Sequence, residues 1–152
     1  MNKLFIRRAI LEDLPPIVAL LANDTLGASR EDSTLPLRTT YTDAFNAICS
    51  DPNQFLAVAV SENIIVGTLQ LTYLPNISLK GAWRAQIEAV RVHEAKRSSG
   101  LGRYLFEWAI QQARQRGCVM IQLTCDVTRK DAHHFYSALG FVPSHTGFKM
   151  RI

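Results

Sequence analysis

The sequence lacks the features that define membrane-spanning, disulfide-linked and zinc-binding proteins. No apolar run approaches the roughly 20 residues that a membrane-spanning helix needs, and the first apolar run covers only residues 4–6. The 3 cysteines, Cys49, Cys118 and Cys125, form no CxxC or Cys/His pattern, and their surroundings are mostly apolar. We therefore expect reduced, buried thiols, no metal, and a cytoplasmic location.

Proline and glycine are also sparse, and no long run of like charge is present. The 6 prolines and 8 glycines are scattered among 152 residues, of which 47% are hydrophobic and 20% charged. This composition is typical of a folded protein rather than of a disordered chain or a linker. A chain of this length fits one compact domain, so we expect a single domain over residues 1–152.

The basic charge is modest and dispersed. The formal net charge is +4, and the densest basic patches are the pairs at residues 7–8, 96–97 and 129–130. Such a balance favours anionic partners in general, and a phosphorylated cofactor satisfies it as well as a nucleic acid does. The patches are too short for a nucleic-acid-binding arm, so we expect neither a nucleic-acid nor a membrane partner.

Hydrophobic periodicity predicts alternating strands and helices. The expected strands are residues 4–9, 54–60, 64–74, 84–92, a buried strand at 118–127, and a final strand at 148–152. The expected helices are residues 11–24, 41–51, 100–115 and 130–139, with a polar loop at 24–42. The order mixes a hairpin with parallel crossovers, which predicts an α/β (α+β) sheet flanked by helices.

The stretch RSSGLG, residues 97–102, opens the helix that follows the strand 84–92. Unpaired backbone N–H groups and the positive end of a helix form an anion site, and glycines let phosphate approach the main chain. The triphosphate motif GxxxxGK[ST] is absent, and the dinucleotide motif GxGxxG fails at Leu105. On these residues alone, a flexible turn capped by Ser98 or Ser99 is an equal alternative.

RSSGLG resembles the Gln/Arg-x-x-Gly-x-Gly/Ala motif by which the GCN5-related N-acetyltransferase (GNAT) superfamily holds the pyrophosphate of acetyl-coenzyme A. FIRRAILEDLPPIVALL is similar to the opening strand and helix of that family, VRV to its pantetheine-pairing strand, and DAHHFYSALGF to its closing motif. Three positions depart from the family pattern. They are Glu94, Ser98 and Asp131, where the family often has proline, glycine and asparagine.

The resemblance implies a fold, a co-substrate and a binding site. The fold would be a mixed, mainly antiparallel sheet of six to seven strands, with helices on both faces and a central splay between parallel strands. Acetyl-coenzyme A would be the co-substrate, and family members are often dimeric, which makes a homodimer a hypothesis. The implied cofactor-binding residues are Val90, Arg91, Val92, Arg97, Ser98, Ser99, Gly100, Leu101, Gly102, Arg103 and Asp131.

The resemblance further implies direct transfer of acetyl from the thioester to an amine of a small molecule or peptide. Deprotonating an alkyl ammonium at neutral pH costs roughly 4 to 5 kcal/mol, so a base or a base-held water is useful. Glu88 is the candidate base, because strand alternation places it on the face that Val90 and Val92 occupy. The alternatives are a solvated glutamate without a catalytic role, and ordered water as the base.

Tyr136 matches the family's general-acid tyrosine, which donates a proton to the departing thiolate; the alternative is a core aromatic. The resemblance assigns the oxyanion donor to a backbone N–H around residues 90–92.

Adjacent His133 and His134 point about 100 degrees apart on a helix, so they form no paired site. Loops 24–41 and 75–83, with Trp83 at the border of the second, would enclose the acceptor. A non-catalytic acyl-coenzyme A binding or sensing domain remains an alternative to the enzyme.

Overall fold

The structure is a computed structural model that describes residues 4–152; residues 1–3 of the expected domain lie outside it. The elements follow in this order: β1 (Phe5–Arg8), α1 (Leu14–Ala22), α2 (Thr39–Ser50), β2 (Gln54–Ser61), β3 (Ile64–Leu74), the one-turn α3 (Ser78–Gly81), β4 (Arg84–Val92), α4 (Leu101–Gln115), β5 (Met120–Leu123) and α5 (Lys130–Ala138).

Local chemistry explains most of these boundaries. Prolines 15 and 16 lie in the first turn of α1, where a missing N–H removes no helical hydrogen bond. Glu62 and Asn63 adopt φ of 52° and 62°, the left-handed backbone of a tight hairpin turn between β2 and β3. Helix α4 is followed by Gly117 at φ 80°, a conformation that favours glycine. The polar loop is shorter than predicted, because α2 begins at Thr39.

The five strands form one mixed sheet in the order β1-β2-β3-β4-β5. The first three pairs are antiparallel, while β4 and β5 run parallel. The mixed, mainly antiparallel architecture is therefore confirmed. The prediction of six to seven strands is wrong for residues 4–152, since the expected strand at 148–152 adopts no regular structure there. Its alternating pattern is present, but no neighbouring strand pairs with it.

Strand β5 also differs from its prediction. The nearly continuous apolar run at 118–127 indicated a long buried strand, whereas only Met120–Leu123 is a strand, exposed or half-buried along its length. A strand is buried on both faces only when other elements cover it, and β5 lies at the edge of the sheet.

Helices cover both faces of the sheet, as predicted. On one face, α4 packs on β3 and β4 through a core that includes Leu69, Ile87 and Phe106, and α5 packs against Phe106. On the other face, α1 and α2 pack on β2, with Val18 and Phe45 in the second core cluster. Each cluster has its own helices, so the sheet itself is the layer that joins them.

A bulge interrupts β4. Gln70 of β3 lies opposite Glu88, and Thr68 opposite Arg91, so β4 carries one more residue than β3 between these pairs. The two residues of β4 in this interval are Ala89 and Val90, and Ala89 adopts a φ of 53°. Our expectation that Glu88 shares a face with Val90 and Val92 is therefore wrong. Those valines pack against the same core cluster as Ile87, and Glu88 faces the opposite side. Period-two patterning cannot detect an inserted residue.

The splay predicted between the parallel strands is also present. Pairing of β4 with β5 covers residues 84–87 and 120–123 and ends at the pair Ile87 and Leu123. Beyond Ile87, Glu88, Arg91 and Val92 pair with β3, and within residues 4–152 no strand pairs with the other edge of residues 88–92, so this edge is open. This open edge leads directly towards the start of α4.

Candidate active site

The open edge of β4 forms one wall of a cleft. The cleft has a volume of about 700 Å³. It is lined by Ala22, Asn23, Asp24, Thr25, Ala28, Val90, Arg91, Val92, Arg97 and Arg129. Four of the residues predicted to bind the cofactor, at positions 90–92 and 97, therefore line the same space. The opposite wall comes from the end of α1 and the loop behind it.

The start of α4 has the geometry of an anion site. The first helical hydrogen bond runs from Tyr104 N–H to Gly100 O at 3.0 Å. The N–H groups of residues 101–103 therefore have no acceptor within the helix, and they lie at its positive end. Gly100 has φ of 86° and Ser98 has φ of 60°. Ser98 adopts the left-handed backbone that glycine favours, so the chain keeps the turn without glycine at this position.

Individual residues of the RSSGLG stretch have different surroundings. The Arg97 guanidinium donates a hydrogen bond to the Asn23 carbonyl at 3.2 Å, which ties the turn to the end of α1. Ser99 Oγ donates to the Lys96 carbonyl at 2.6 Å, and Leu101 is buried. Ser99 and Leu101 line a separate hollow of about 250 Å³ rather than the cleft. Only Arg97 of these three presents its side chain to the cleft.

Three further predicted cofactor residues lie outside the cleft lining. Gly102 faces α5, since a Cβ built on it would lie 3.5 Å from Phe135 Cζ. Arg103 is half-exposed and lies 3.7 Å from Glu107, one helical turn along α4. Asp131 is exposed in the first turn of α5. Gly102 therefore lies at the contact between α4 and α5, while the charged side chains of Arg103 and Asp131 lie at the surface.

Asp24 and Arg129 line the cleft, and the sequence reasoning missed both. Asp24 Oδ2 lies 3.3 Å from Arg91 Nη2, and Asp24 Oδ1 lies 3.7 Å from Arg129 Nη2. Arg91 Nη1 also donates to the Val90 carbonyl at 2.8 Å. These ion pairs join the loop after α1, strand β4 and the residue before α5. One signal was available: Arg129 precedes a helix, where a cation opposes the helix dipole and so needs another role.

The cleft carries an excess of positive charge. Three arginines, Arg91, Arg97 and Arg129, line it together with a single carboxylate, Asp24. Arg91 is mostly buried, and its Nε has no hydrogen-bond partner within residues 4–152. Burial lowers the pKa of the Arg91 guanidinium, and the Asp24 carboxylate acts in the opposite direction by raising that pKa. A low-dielectric site with surplus arginine attracts an anion more strongly than an exposed patch does.

Tyr136 lies on α5 beside this cleft. Its ring packs against Phe106, with ring centroids 5.5 Å apart, and against Phe141 at 6.3 Å. Burial raises the pKa of the Tyr136 phenol, and the nearby Cys125 thiol raises it further, while Arg129 and Arg91 act in the opposite direction. The phenol is therefore protonated at neutral pH, so it can donate a proton but cannot act as a base. The ring therefore has a packing role, and Tyr136 is not among the residues that line the cleft, although Arg91 and Arg129 of that lining act on its phenol.

Glu88 is exposed on the other face of β4, at the point where β5 separates from it. A band of neutral polar side chains lies next to it and crosses four strands. Gln122 Nε2 donates to Gln86 Oε1 at 2.8 Å, and Gln70 Nε2 donates to Gln54 Oε1 at 3.1 Å. Gln70 of β3 lies opposite Glu88 of β4, and Gln86 is two residues before Glu88, so both glutamines lie on the same face of the sheet as Glu88. Sequence analysis did not predict this band, because pairing between distant strands creates it.

The other predicted side chains have structural surroundings. Nε2 of His133 lies 3.0 Å from the Asp126 carbonyl, and residues 4–152 contain no group of His, Cys, Asp or Glu arranged to hold a metal. Trp83 packs against the core, with Arg116 stacked 5.4 Å from its ring centroid. All three cysteines are free, but none is fully buried as we expected: Cys49 is exposed, and Cys118 and Cys125 are half-buried. Within the described part of the chain, no helix is long and apolar enough to cross a membrane.

The fold and the cleft together define a class of protein. A mixed sheet that opens between two parallel strands, next to a helix start in a basic cleft, is the arrangement that the resemblance to acetyltransferases implies. A sequence model of the Acetyltransferase (GNAT) family matches residues 20–141. The chain belongs to this family.

The chain is similar to proteins that are named as acetyltransferases and to one that is named as a regulator. The chain is 31% identical over 108 residues to an aminoalkylphosphonate N-acetyltransferase of Salmonella typhimurium, a match that covers 71% of this chain and 70% of the relative. A crystal structure named as a transcriptional regulator from Bacillus halodurans C-125 is 47% identical, with TM-score 0.96, and covers 99% of this chain and 100% of that one. A putative acetyltransferase from Agrobacterium tumefaciens is 30% identical, with TM-score 0.86 and coverage of 97% and 99%.

Proposed function

We propose that this protein is an acetyl-coenzyme A-dependent N-acetyltransferase that transfers acetyl directly to an amine of a small molecule or peptide. The observation that carries the proposal is an open strand edge that lines a basic cleft beside the turn that opens α4. The open edge of β4 at residues 90–92 lines the cleft together with Arg97, and Arg97 belongs to the turn that leads into the start of α4. Membership of the acetyltransferase family supports the same activity.

The donor would bind along backbone groups. An open strand edge pairs with an extended amide-bearing chain such as pantetheine, as an added strand would. The free N–H groups of residues 101–103 would bind the pyrophosphate, and the charge of Arg97 would add to them. Arg129, released from Asp24, is a second cation within the cleft for the phosphates.

The chemistry needs three groups. The amine forms a bond to the acetyl carbon as the bond from that carbon to sulfur breaks, and no covalent enzyme intermediate forms. The proton lost by the amine goes to Glu88, directly or through water, and the proton that the thiolate gains comes from Tyr136. A backbone N–H of residues 90–92 stabilises the oxyanion. Because Glu88 lies on the face opposite Val90, the amine would approach from the side of the polar band.

The acceptor is an amine whose remaining groups are polar. The band around Glu88 offers amide and hydroxyl groups, which suit hydrogen-bonding acceptors, while the surplus arginines of the cleft suit an anionic group. The relative named as an aminoalkylphosphonate N-acetyltransferase makes phosphonate-bearing amines a candidate class. Loops 24–38 and 75–83 would frame the acceptor.

Two measurements test the proposal. Calorimetry with acetyl-coenzyme A should show binding to the full chain, and its absence would remove the donor site. A panel of aminoalkylphosphonates, amino sugars, amino acids and peptide N-termini should then reveal thiol release with at least one acceptor. Binding without release across the panel would favour a non-catalytic acyl-coenzyme A sensing domain instead.

A regulatory role is the second candidate, and the Bacillus halodurans relative named as a transcriptional regulator is the observation that favours it. In this chain the acyl-coenzyme A site would act as a sensor, and a DNA contact would be made elsewhere. Titration of duplex DNA at several salt concentrations, with and without acetyl-coenzyme A, separates the candidates. A steep salt dependence that the ligand changes would support regulation.

A further inference from the structure

We propose that the Asp24 carboxylate occupies, in the free protein, the place that an oxyanion of the acceptor takes on Arg91. The acceptor would then be a small molecule that carries both an amine and an anionic group, a phosphonate or a carboxylate. This inference rests on the proposed N-acetyltransferase activity and narrows its acceptor. It gives the side chain of Arg91 a role in specificity, in addition to the role of the β4 backbone in donor binding.

The bulge in β4 places Arg91 on the same face of the sheet as Glu88. Arg91 lies opposite Thr68 of β3, and Glu88 lies opposite Gln70. Because residues two positions apart on a strand share a face, Arg91 and Glu88 share one too, although three positions separate them in the sequence. The two positions on β3 are roughly 7 Å apart along the strand. A small acceptor can therefore present its amine to Glu88 and its anionic group to Arg91.

The carboxylate that Arg91 contacts in the structure is loosely held. Asp24 Oδ2 lies 3.3 Å from Arg91 Nη2, and Asp24 Oδ1 lies 3.7 Å from Arg129 Nη2. Strong hydrogen bonds between a cation and a carboxylate are about 2.7–2.9 Å long, so both contacts are long. Within residues 4–152, no backbone N–H group donates to this carboxylate. A ligand oxyanion can therefore replace it without breaking a strong hydrogen bond.

Asp13, by contrast, shows how this chain holds a carboxylate whose role is structural. Both of its oxygens accept hydrogen bonds from the Arg7 guanidinium, and Oδ2 also accepts one from the backbone N–H of Ile10 at 2.8 Å. Asp13 is buried, and it does not line the cleft. Asp24, with its two long contacts, lacks this support. The difference favours a carboxylate that moves over one that fixes the fold.

Arg91 is short of acceptors in the free protein. Its Nε–H group is buried and has no hydrogen-bond partner within residues 4–152, and a buried donor without an acceptor is costly. Burial and the nearby cations Arg129 and Arg30 lower the pKa of the Arg91 guanidinium, whereas the Asp24 carboxylate raises it. An oxyanion that binds Arg91 alone offers it more acceptor oxygens than a carboxylate shared with Arg129 does. The exchange would therefore stabilise the arginine as well as the ligand.

The exchange also releases the second arginine. Arg129 immediately precedes α5, and 42% of its side chain is exposed. Once Asp24 has left, Arg129 is available for the phosphates of the donor, so the two anionic ligands have separate cations. Donor and acceptor would then bind together rather than in competition.

Binding of methylphosphonate tests the exchange without any acetyl transfer. Calorimetry on the full chain, with and without coenzyme A, should show that Asp24→Asn binds methylphosphonate about tenfold more tightly than the wild type, because the internal competitor is gone. The double variant Asp24→Asn/Arg91→Gln should lose this binding, because it also lacks the cation. Circular dichroism checks that both variants fold.

The matched control is Asp32→Asn, which removes the same charge from an ion pair with Arg38 outside the cleft lining. It should bind methylphosphonate as the wild type does. An affinity in Asp24→Asn no higher than in the wild type, or equal gains in Asp24→Asn and Asp32→Asn, would overturn the proposal. Exclusion of methylphosphonate by coenzyme A would also overturn it, since the anion would then occupy the donor's site.

Acceptor kinetics separate a failure of this inference from a failure of the proposed function. With acetyl-coenzyme A, 2-aminoethylphosphonate or β-alanine should exceed propylamine by about tenfold or more in kcat/KM, mainly through KM, and the double variant should lose this preference. Equal kcat/KM for all three amines would overturn the inference and leave the acetyltransferase activity standing. Methylphosphonate binding as expected, without acetylation of any amine, would instead contradict the proposed function.

Discussion

The two halves of β4 have the same neighbour on one side and different neighbours on the other. Residues 84–87 pair with β3 and with β5, and within them Ala85 and Ile87 are almost completely buried. Residues 88–92 have, among the strands of residues 4–152, only β3 as a neighbour; they contain the bulge at Ala89, and residues 90–92 line the cleft. One strand therefore belongs to the core at its start and to the candidate site at its end.

The difference shows how a sheet can provide a binding site without dedicated side chains. A buried backbone N–H or C=O that lacks a partner is costly, so the open half of β4 must be satisfied by water or by a ligand. The closed half satisfies the same groups within the sheet and keeps the open half in position. Variants around the open half of β4 should therefore affect activity or ligand binding, whereas matched variants elsewhere should not.

The largest expected effect comes from Tyr136→Phe. Loss of a general acid lowers turnover by about a hundredfold or more. Affinity for acetyl-coenzyme A should stay within about threefold, because the ring still packs on Phe106. Steady-state kinetics and calorimetry measure the two quantities. Tyr104→Phe, on the half-exposed face of α4, is the control and should match the wild type. Unchanged turnover in Tyr136→Phe would leave this residue with a packing role only.

Arg97→Ala should weaken binding of acetyl-coenzyme A by about tenfold, which is the loss of one charge-assisted hydrogen bond. Arg97 lines the cleft and is tied to Asn23, so its charge is held at the proposed phosphate site. The control is Arg114→Ala in the last turn of α4, at the opposite end of the same helix. If both variants lost affinity to the same extent, net charge rather than the position of the arginine would determine binding.

Gly100→Ala separates backbone strain from binding when it is compared with Gly117→Ala. Both glycines have positive φ, 86° and 80°, and neither has an atom within 4 Å of a built Cβ. Each substitution should therefore lower the free energy of unfolding by about 1 kcal/mol, as measured in urea. Only Gly100→Ala should also weaken acetyl-coenzyme A binding, by about fivefold, because it shifts the N–H groups that follow. Identical affinities would argue against the helix-start site.

The smallest effect is expected within β4 itself. Ala85→Gly, in the closed half, should lower the free energy of unfolding by about 1 kcal/mol, because it loosens a strand interior. Ala89→Gly, at φ 53°, should change it by less than about 0.5 kcal/mol, since glycine accepts the left-handed backbone. Urea denaturation measures both. A loss at Ala89→Gly as large as that at Ala85→Gly would mean that the bulge is not strained.

Local sequence features predicted most elements correctly because each element has a local cause. The hairpin of β2 and β3, the start of α1 at its prolines, and the end of α4 before Gly117 all depend on residues close to the element. Of residues 97–102, which resemble a family motif, Arg97 lines the cleft, so the motif pointed to this region of the molecule. Three predictions were wrong: the burial of β5, the strand at 148–152, and the face on which Glu88 lies. Each depends on contacts between residues that are distant in the chain.

The sequence by itself determined the family, the alternation of helices and strands, and the turn that opens α4, since these follow from local propensity and from a contiguous motif. Tertiary structure alone decided where β4 leaves β5, which way Glu88 faces after the bulge, and that Asp24 meets Arg91 and Arg129. These depend on pairing between residues distant in the chain. A pattern read along one strand contains no information about which partner that strand lacks.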